Sequence, residues 1–288
     1  MLQTASDPAT RALQVSVVPN EPAALGNRLF DVSGLSGTHA GNAHWIEPLA
    51  TLRAHGRARN ISLDTIDVVP AELADVILFL ELPSSPSVIT NLCRAAQRAK
   101  TILMPIETPL GRDYVFNPRN HVLFDAVITY DERLCDGRRY FHCRLPAGQP
   151  DVALEDPPFE ARKVASVFAT KSRWRLRSGV RVASAGWRFS LRDRLSYMFL
   201  RGQLLTERTR VVTAFADLAP DSCDVFGAGW HDAAAVREVA RSTMFRGPVA
   251  ENKLKLLSAY RFSICFENCD NDRGYVSEKL FDALFGNT

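Results

Sequence analysis

Apolar runs that do not alternate set the first bound on what this protein can fold into. LQVSVV at 13–18, ADVILFL at 74–80, TILMP at 101–105 and AVITY at 126–130 are too short for helices and place apolar residues next to one another. A strand with one wetted face reads apolar, polar, apolar; a strand covered on both faces loses that alternation. Between these runs lie stretches of helical character at His44–His55 and Ser87–Arg98, the second with Val88, Leu92 and Ala95 on one face. Strand, helix, strand in that rhythm predicts parallel strands joined by crossovers, which is the α/β class. The second half repeats it: a strand at Val164–Ala169, a helix at Gln203–Leu218, the strand and turn CDVFGAGW, a helix at Asn252–Ser258, a strand at Phe262–Phe266 and a helix at Ser277–Phe285. The stretch LPAGQPDVALEDPP, residues 145–158, holds four prolines and no period, so the sequence predicts a linker there. Two Rossmann-like domains are expected, 1–150 and 151–288, and 288 residues suffice for both cores. No strand follows the last predicted helix, so the second layer is expected to be incomplete and the sequence truncated at its carboxyl end.

Composition narrows the function classes. With 46% apolar and 23% charged residues the sequence has the balance of a soluble globular protein, and no run approaches the roughly 18 to 20 apolar residues of a membrane span. The N-terminus lacks a basic start followed by an apolar stretch, which predicts a cytoplasmic protein. Six cysteines occur without a CxxC pair, an argument against a zinc site or a disulfide framework, and they read as buried thiols. The six histidines show no ligand spacing, and no metal or cofactor is expected. The net charge of +3 is unevenly placed: from Lys171 to Arg201 there are nine Lys or Arg residues and one acid, Asp193. That segment reads either as a solvated face or as an attraction to phosphates, and peripheral membrane contact through residues 171–201 is one expectation. No zinc-finger spacing or RNA-binding aromatic signature accompanies it, so no nucleic-acid partner is expected.

The densest chemistry lies in RFSICFENCDNDRGYVSEKLFDALFGNT, residues 261–288. Its polar loop follows a predicted strand and precedes a predicted helix, where α/β proteins bind ligands and where free backbone N–H groups favour anions. Glu267 and Asn268 can accept hydrogen bonds from a base or sugar hydroxyls, and Lys279 offers a point charge for a phosphate. A purely structural alternative is a helix capped by Ser277, with Glu278 and Lys279 as surface residues. Asp270-Asn271-Asp272 is also a D-x-D triplet, the pattern by which a metal-dependent, GT-A-type glycosyltransferase holds a divalent ion. Gly227-Ala228-Gly229 is only a GxG and predicts a tight turn.

Tyr260-Arg261-Phe262, Phe266-Glu267-Asn268 and Tyr275-Val276-Ser277-Glu278-Lys279 resemble, in order and nearly in spacing, the signature of the α-1,3-fucosyltransferases of glycosyltransferase family 10. Ser277 stands where that family usually has Thr, and Gly274 precedes Tyr275 with the acids displaced to Asp270 and Asp272. Thr206-Glu207-Arg208 leading to Asp224-Val225-Phe226-Gly227 is similar to the family's arginine-bearing helix and following strand. Ile106-Glu107-Thr108-Pro109 and the run from Phe124 to Tyr130 resemble two further family segments. The resemblance spans residues 100–288.

It implies a GT-B architecture, two Rossmann-like domains facing a cleft, and inverting transfer of fucose from GDP-fucose to a hydroxyl of an oligosaccharide or lipid-linked glycan. The expected linkage is α-1,3 to N-acetylglucosamine or glucose of a bacterial surface glycan such as lipopolysaccharide or a glycosylated protein, at the cytoplasmic side of the inner membrane. Glu107 is the expected base, Arg208 and Lys279 the groups that stabilise departing GDP, and Arg210 the alternative to Arg208. Glu267, Asn268, Tyr275 and Glu278 are the expected nucleotide-sugar pocket, with GDP-fucose as substrate and no cofactor. The non-catalytic alternative is a fragment that binds a nucleotide sugar or glycan without turnover.

Overall fold

The computed structural model describes residues 11–33, 43–83, 85–106, 115, 118–145, 148, 153–170, 204–230, 243–249, 252–269 and 274–288. They form an α/β protein with two parallel sheets. The first contains β1 (Leu13–Val18), β2 (Ile61–Thr65), β3 (Val76–Phe79), β4 (Lys100–Leu103), β5 (Ala126–Thr129) and β6 (Tyr140–His142) in the order β2-β1-β3-β4-β5-β6. The second contains β7 (Lys163–Phe168), β8 (Cys223–Phe226), β9 (Phe245–Gly247) and β10 (Tyr260–Ser263) in the order β10-β7-β8-β9. The gap between the sheets, from His142 to Lys163, contains the proline-bearing stretch 145–158. Helices α1 (Ala43–Arg57), α2 (Pro86–Ala96) and α3 (Pro118–His121) belong to the first half, and α4 (Leu205–Leu218), α5 (Lys253–Leu257) and α6 (Glu278–Phe285) to the second.

The missing alternation has the cause the sequence suggests. On β3, Ile77 and Phe79 enter one core with Leu103, Val127 and Ile89 of α2, while Leu78 and its neighbour Leu80 enter another with Val17, Leu63 and Phe30. One strand thus supplies two cores, each fully buried side chain contributing about 1.5–3 kcal/mol. Helix α2 starts where Ser85 accepts the Ser87 N–H at 3.3 Å and Pro86 presets the first helical φ. The second sheet packs Ala165, Val167, Cys223 and Val225 against Val212 and Ala216 of α4, with Trp230, Met244 and Phe245 closing the cluster.

Interior strands β1, β3, β4, β5, β7 and β8 lie where the apolar runs predict them. Strands β2, β6 and β9 have no counterpart in the predicted elements, and all three are edges. Strand β10 covers Tyr260–Ser263 instead of the expected Phe262–Phe266, because its pairing with β7 ends at Ser263 opposite Ser166 and the backbone then turns towards α4. The expectation of uniformly buried thiols needs correction: Cys223 and Cys269 are buried, Cys93 and Cys135 half-buried, and Cys143 and Cys265 exposed. Cys143 directly follows edge strand β6, and Cys265 lies two residues past edge strand β10. Gly227 and Gly229 form the expected turn; Gly227 has φ +127°, and a Cβ on it would stand 2.2 Å from the Ala169 carbonyl oxygen. No helix among the described residues is long and apolar enough to cross a membrane.

One carboxylate ties the second sheet together at its amino edge. Asp224 on β8 accepts from Lys163 of β7 at 2.7 Å, Arg246 of β9 at 2.6 Å and the Tyr260 hydroxyl of β10 at 2.6 Å, so every strand contributes one group. Burial alone would raise the Asp224 pKa, but hydrogen bonds from Arg246, Lys163 and Tyr260 and the Lys163 charge outweigh it and hold the carboxyl below its ordinary value. A carboxyl depressed in this way stabilises the fold fully above its unfolded pKa of about 3.9, and that contribution is lost as pH falls through the folded value. Asp224→Asn is expected to cost about 2–3 kcal/mol at pH 7 by urea unfolding. The deficit relative to wild type should shrink below about pH 4, and a deficit constant with pH would show that the charge is not what matters.

Candidate functional site

Strand order locates the place where a ligand fits. In the second sheet the order reverses between β7 and β10, and the crevice outside the carboxyl ends of the strands at such a reversal is where open α/β sheets bind ligands. Arg208 spans it. Its side chain comes from the first turn of α4 and is only 4% exposed. The guanidinium donates to the Thr170 carbonyl, just past β7, at 3.4 Å, and to the Phe266 and Glu267 carbonyls, past β10, at 3.0 and 3.4 Å. It also donates to Asn268 Oδ1 at 3.1 Å, and the Leu204 N–H bonds the Asn268 carbonyl at 3.1 Å. The carbonyls of 266 and 267 thus find in an arginine the donors that a continued ladder would have supplied. Burial draws the Arg208 pKa below its usual value, with the nearby Glu267 charge opposing; an arginine stays charged regardless. Its Nε is buried and has no hydrogen-bond partner among the described residues.

Glu267 connects this crevice to α6. Oε1 accepts the Ser277 N–H at 2.8 Å, whereas Oε2 is buried, accepts no hydrogen bond among the described residues and lies 3.9 Å from Lys279 Nζ. Ser277 caps α6 by accepting the Lys279 N–H at 3.3 Å, as the structural alternative predicts, and the same oxygen accepts from Lys279 Nζ at 3.1 Å. Lys279 Nζ also lies 3.3 Å from Glu278 Oε1. Capping and clustering therefore occur together: Glu267, Glu278 and Lys279 converge at the α6 amino end, their side chains between 16% and 20% exposed. With Arg208 the described part of the crevice holds two cations and two carboxylates, a set that can receive an anion beside hydroxyl donors.

Other expected residues are placed differently. Arg210 lies on the outer face of α4, 71% exposed, paired with Glu207 at 2.6 Å. Register on α4 decides this: Arg208 points into the crevice and Arg210 away from it. Tyr275 is 5% exposed and belongs to the core of the first sheet, packed edge-on against Tyr130 with ring centroids 5.1 Å apart. Gly274 makes the approach possible, with φ +85° and room for no side chain: a Cβ would stand 2.7 Å from the Tyr130 carbonyl oxygen. The loop that begins at β10 therefore ends against the carboxyl edge of β5. Glu107, Asp270, Asp272 and the basic segment 171–201 lie outside the described residues.

Glu81 has no counterpart among the residues expected from sequence. It follows β3 by two residues, is 3% exposed and has φ +109°, and its carboxylate accepts the N–H groups of Leu82 and Ile106, both at 3.3 Å. The available signal was an acid breaking an interior apolar run two residues before a proline, in FLELP. No protein-family model and no curated protein matches this sequence.

Proposed function

We propose that the protein is a GT-B-type inverting glycosyltransferase that uses GDP-fucose and an oligosaccharide acceptor. The observation that carries this reading is the convergence of Arg208 with Phe266, Glu267 and Asn268 at the order reversal of the second sheet, across 60 residues of sequence. Residues singled out by resemblance to one signature, and widely separated in sequence, meet where α/β sheets bind nucleotides. The buried Arg208 Nε, which has no hydrogen-bond partner among the described residues, adds to it, since buried polar atoms are normally satisfied and a bound donor sugar would supply an acceptor.

In the proposed reaction an acceptor hydroxyl oxygen attacks the anomeric carbon of fucose from the face opposite GDP. The carbon–oxygen bond to the diphosphate breaks, its electron pair leaves with GDP, and a carboxylate takes the hydroxyl proton. Glu107 is the proposed base. Lys279 at the α6 amino end offsets charge on the departing diphosphate. Arg208 holds the Phe266–Asn268 backbone in place and presents Nε, while Glu267 and Glu278 accept sugar hydroxyls.

A GDP-release assay with GDP-fucose, GDP-mannose and UDP-sugars, over a panel of glycan acceptors, tests the reading. Release is expected with GDP-fucose alone and to persist in EDTA. Binding of GDP-fucose by calorimetry without release under any acceptor would point to a binding module. Activity abolished by EDTA and restored by manganese would favour the metal-dependent reading through Asp270 and Asp272. Failure to bind any GDP-sugar would overturn the proposal.

A further inference from the structure

Edge strand β10 leaves apolar surface uncovered on both faces of the second sheet. Phe262 registers with Ala165, on the face that α4 covers through Val212 and Ala216, yet it is 57% exposed. Its ring stands edge-on to that of Phe159, itself 49% exposed, with centroids 6.0 Å apart. Helix α6 lies on the opposite face: Lys253 of α5 sits over Phe168, the strand neighbour of Val167, and pairs with Asp282 of α6 at 2.6 Å. It runs back along β10. The Cys265 thiol donates to the Lys279 carbonyl in its first turn at 3.2 Å, and Arg162, whose carbonyl accepts from Arg261, holds the Asn287 carbonyl just past its last. Asp282 and Ala283 are buried, while Leu280 and Leu284, one turn apart, are 47% and 63% exposed. A helix apolar on nearly every side is normally covered, and an open edge strand is normally guarded by charge or proline. Strand β10 has no proline, and its one charge, Arg261, folds back to donate to the Phe159 and Arg162 carbonyls at 2.9 and 3.1 Å.

From this we propose that β10 and α6 form the interface of a two-fold homodimer, in which β10 pairs antiparallel with the same strand of a second copy. A two-fold axis perpendicular to the sheet keeps each face on its own side, so the Leu280 and Leu284 ridge meets its own counterpart and the Phe159 and Phe262 pair does the same. The surface is therefore complementary to itself, and with Arg261 folded back no charge on the strand opposes its like across the axis. Its size fits as well. Four large side chains exposed by about half offer roughly 100 Å² each, so about 800 Å² in a symmetric pair, and the strand backbones bring the total to the ~1,000 Å² that a specific interface needs. The joined sheet would have eight strands in the described residues, with the two β7/β10 crevices opening at opposite ends and both accessible. The proposal does not depend on the glycosyltransferase reading.

Sedimentation equilibrium of the full-length protein tests it. The wild type should sediment at twice the monomer mass with a Kd at or below ~10 µM. Phe262→Lys puts a charge on the strand edge and Leu284→Glu one on the helix ridge, and each should weaken the dimer roughly tenfold or more. Both positions are exposed, so both variants should keep the far-UV spectrum of the wild type; should one fail to fold, the other decides. Leu218→Glu, at an 85% exposed position on α4, should leave the equilibrium unaltered. A wild type that remains monomeric at about 100 µM overturns the proposal, as does a dimer that Phe262→Lys and Leu284→Glu leave intact. A monomer that sediments with phosphatidylcholine vesicles, and loses that binding in Leu284→Glu, would assign the surface to lipid and overturn it equally.

Discussion

Arg208→Ala is expected to lower folding stability by about 3–5 kcal/mol and to weaken GDP binding by roughly tenfold or more. The stability loss follows from what the guanidinium holds. Three backbone carbonyls and the Asn268 amide oxygen accept from it, and two loops leaving different strands depend on it for their spacing. Alanine would leave those acceptors facing one another with no donor, in a place too enclosed for water to replace the side chain fully. Arg208→Lys should recover part of the stability, since a lysine reaches one or two acceptors but lacks the planar fork that serves several. Arg210→Ala, on the exposed side of the same helix, should change stability by no more than about 0.5 kcal/mol. Urea unfolding and GDP calorimetry on the three variants separate the two roles. A destabilised Arg208→Ala protein that bound GDP with unaltered affinity would make Arg208 a scaffold alone and leave Lys279 as the proposed phosphate contact.

Tyr275→Ala is expected to cost about 3–5 kcal/mol, the usual effect of deleting a buried aromatic ring, of which the edge-on pair with Tyr130 accounts for about 1 kcal/mol. The ring belongs by sequence to the loop carrying Glu267 and Asn268, yet it packs among Phe79, Leu103 and Val127 of the other half. Its removal should therefore loosen the loop from the first sheet as well as opening a cavity. Gly274→Ala should act in the same direction, because its Cβ would meet the Tyr130 carbonyl oxygen. Urea midpoints of both variants, read beside GDP affinity, are the check. A Tyr275→Ala protein with the wild-type midpoint and no GDP binding would mean that Tyr275 meets ligand instead of joining the two halves.

Several features of the site were legible in residue order alone. The clustering of Glu267, Asn268, Glu278 and Lys279 within a dozen or so positions announced a polar loop between strand and helix, and Ser277 announced the cap. The choice between Arg208 and Arg210 was not legible. Two positions on a helix differ by about 200° of rotation, and the packing of Val212 and Ala216 on the sheet decides which one faces the crevice. Nor was the position of Tyr275, since an aromatic residue in a polar loop fits a ligand pocket and a distant core equally well until the second sheet is placed beside the first.

The division between the two sources of order follows burial. Strands β1, β3, β4, β5, β7 and β8 have neighbours on both sides and were written in the sequence as continuous apolar runs, so the α/β class and most of the element order needed nothing else. Edge strands β2, β6 and β9 are held from one side only. Ser62 and Asp64 on β2, or Phe141 and His142 on β6, can remain polar or exposed there, and their short segments carry no distinctive period. Only pairing with an interior strand makes them strands. The tertiary structure alone also decided where each sheet reverses its order, and hence that Arg208 meets the Glu267 loop. Such meetings depend on which strand lies beside which, and an apolar run states that a strand is covered without naming the neighbour that covers it.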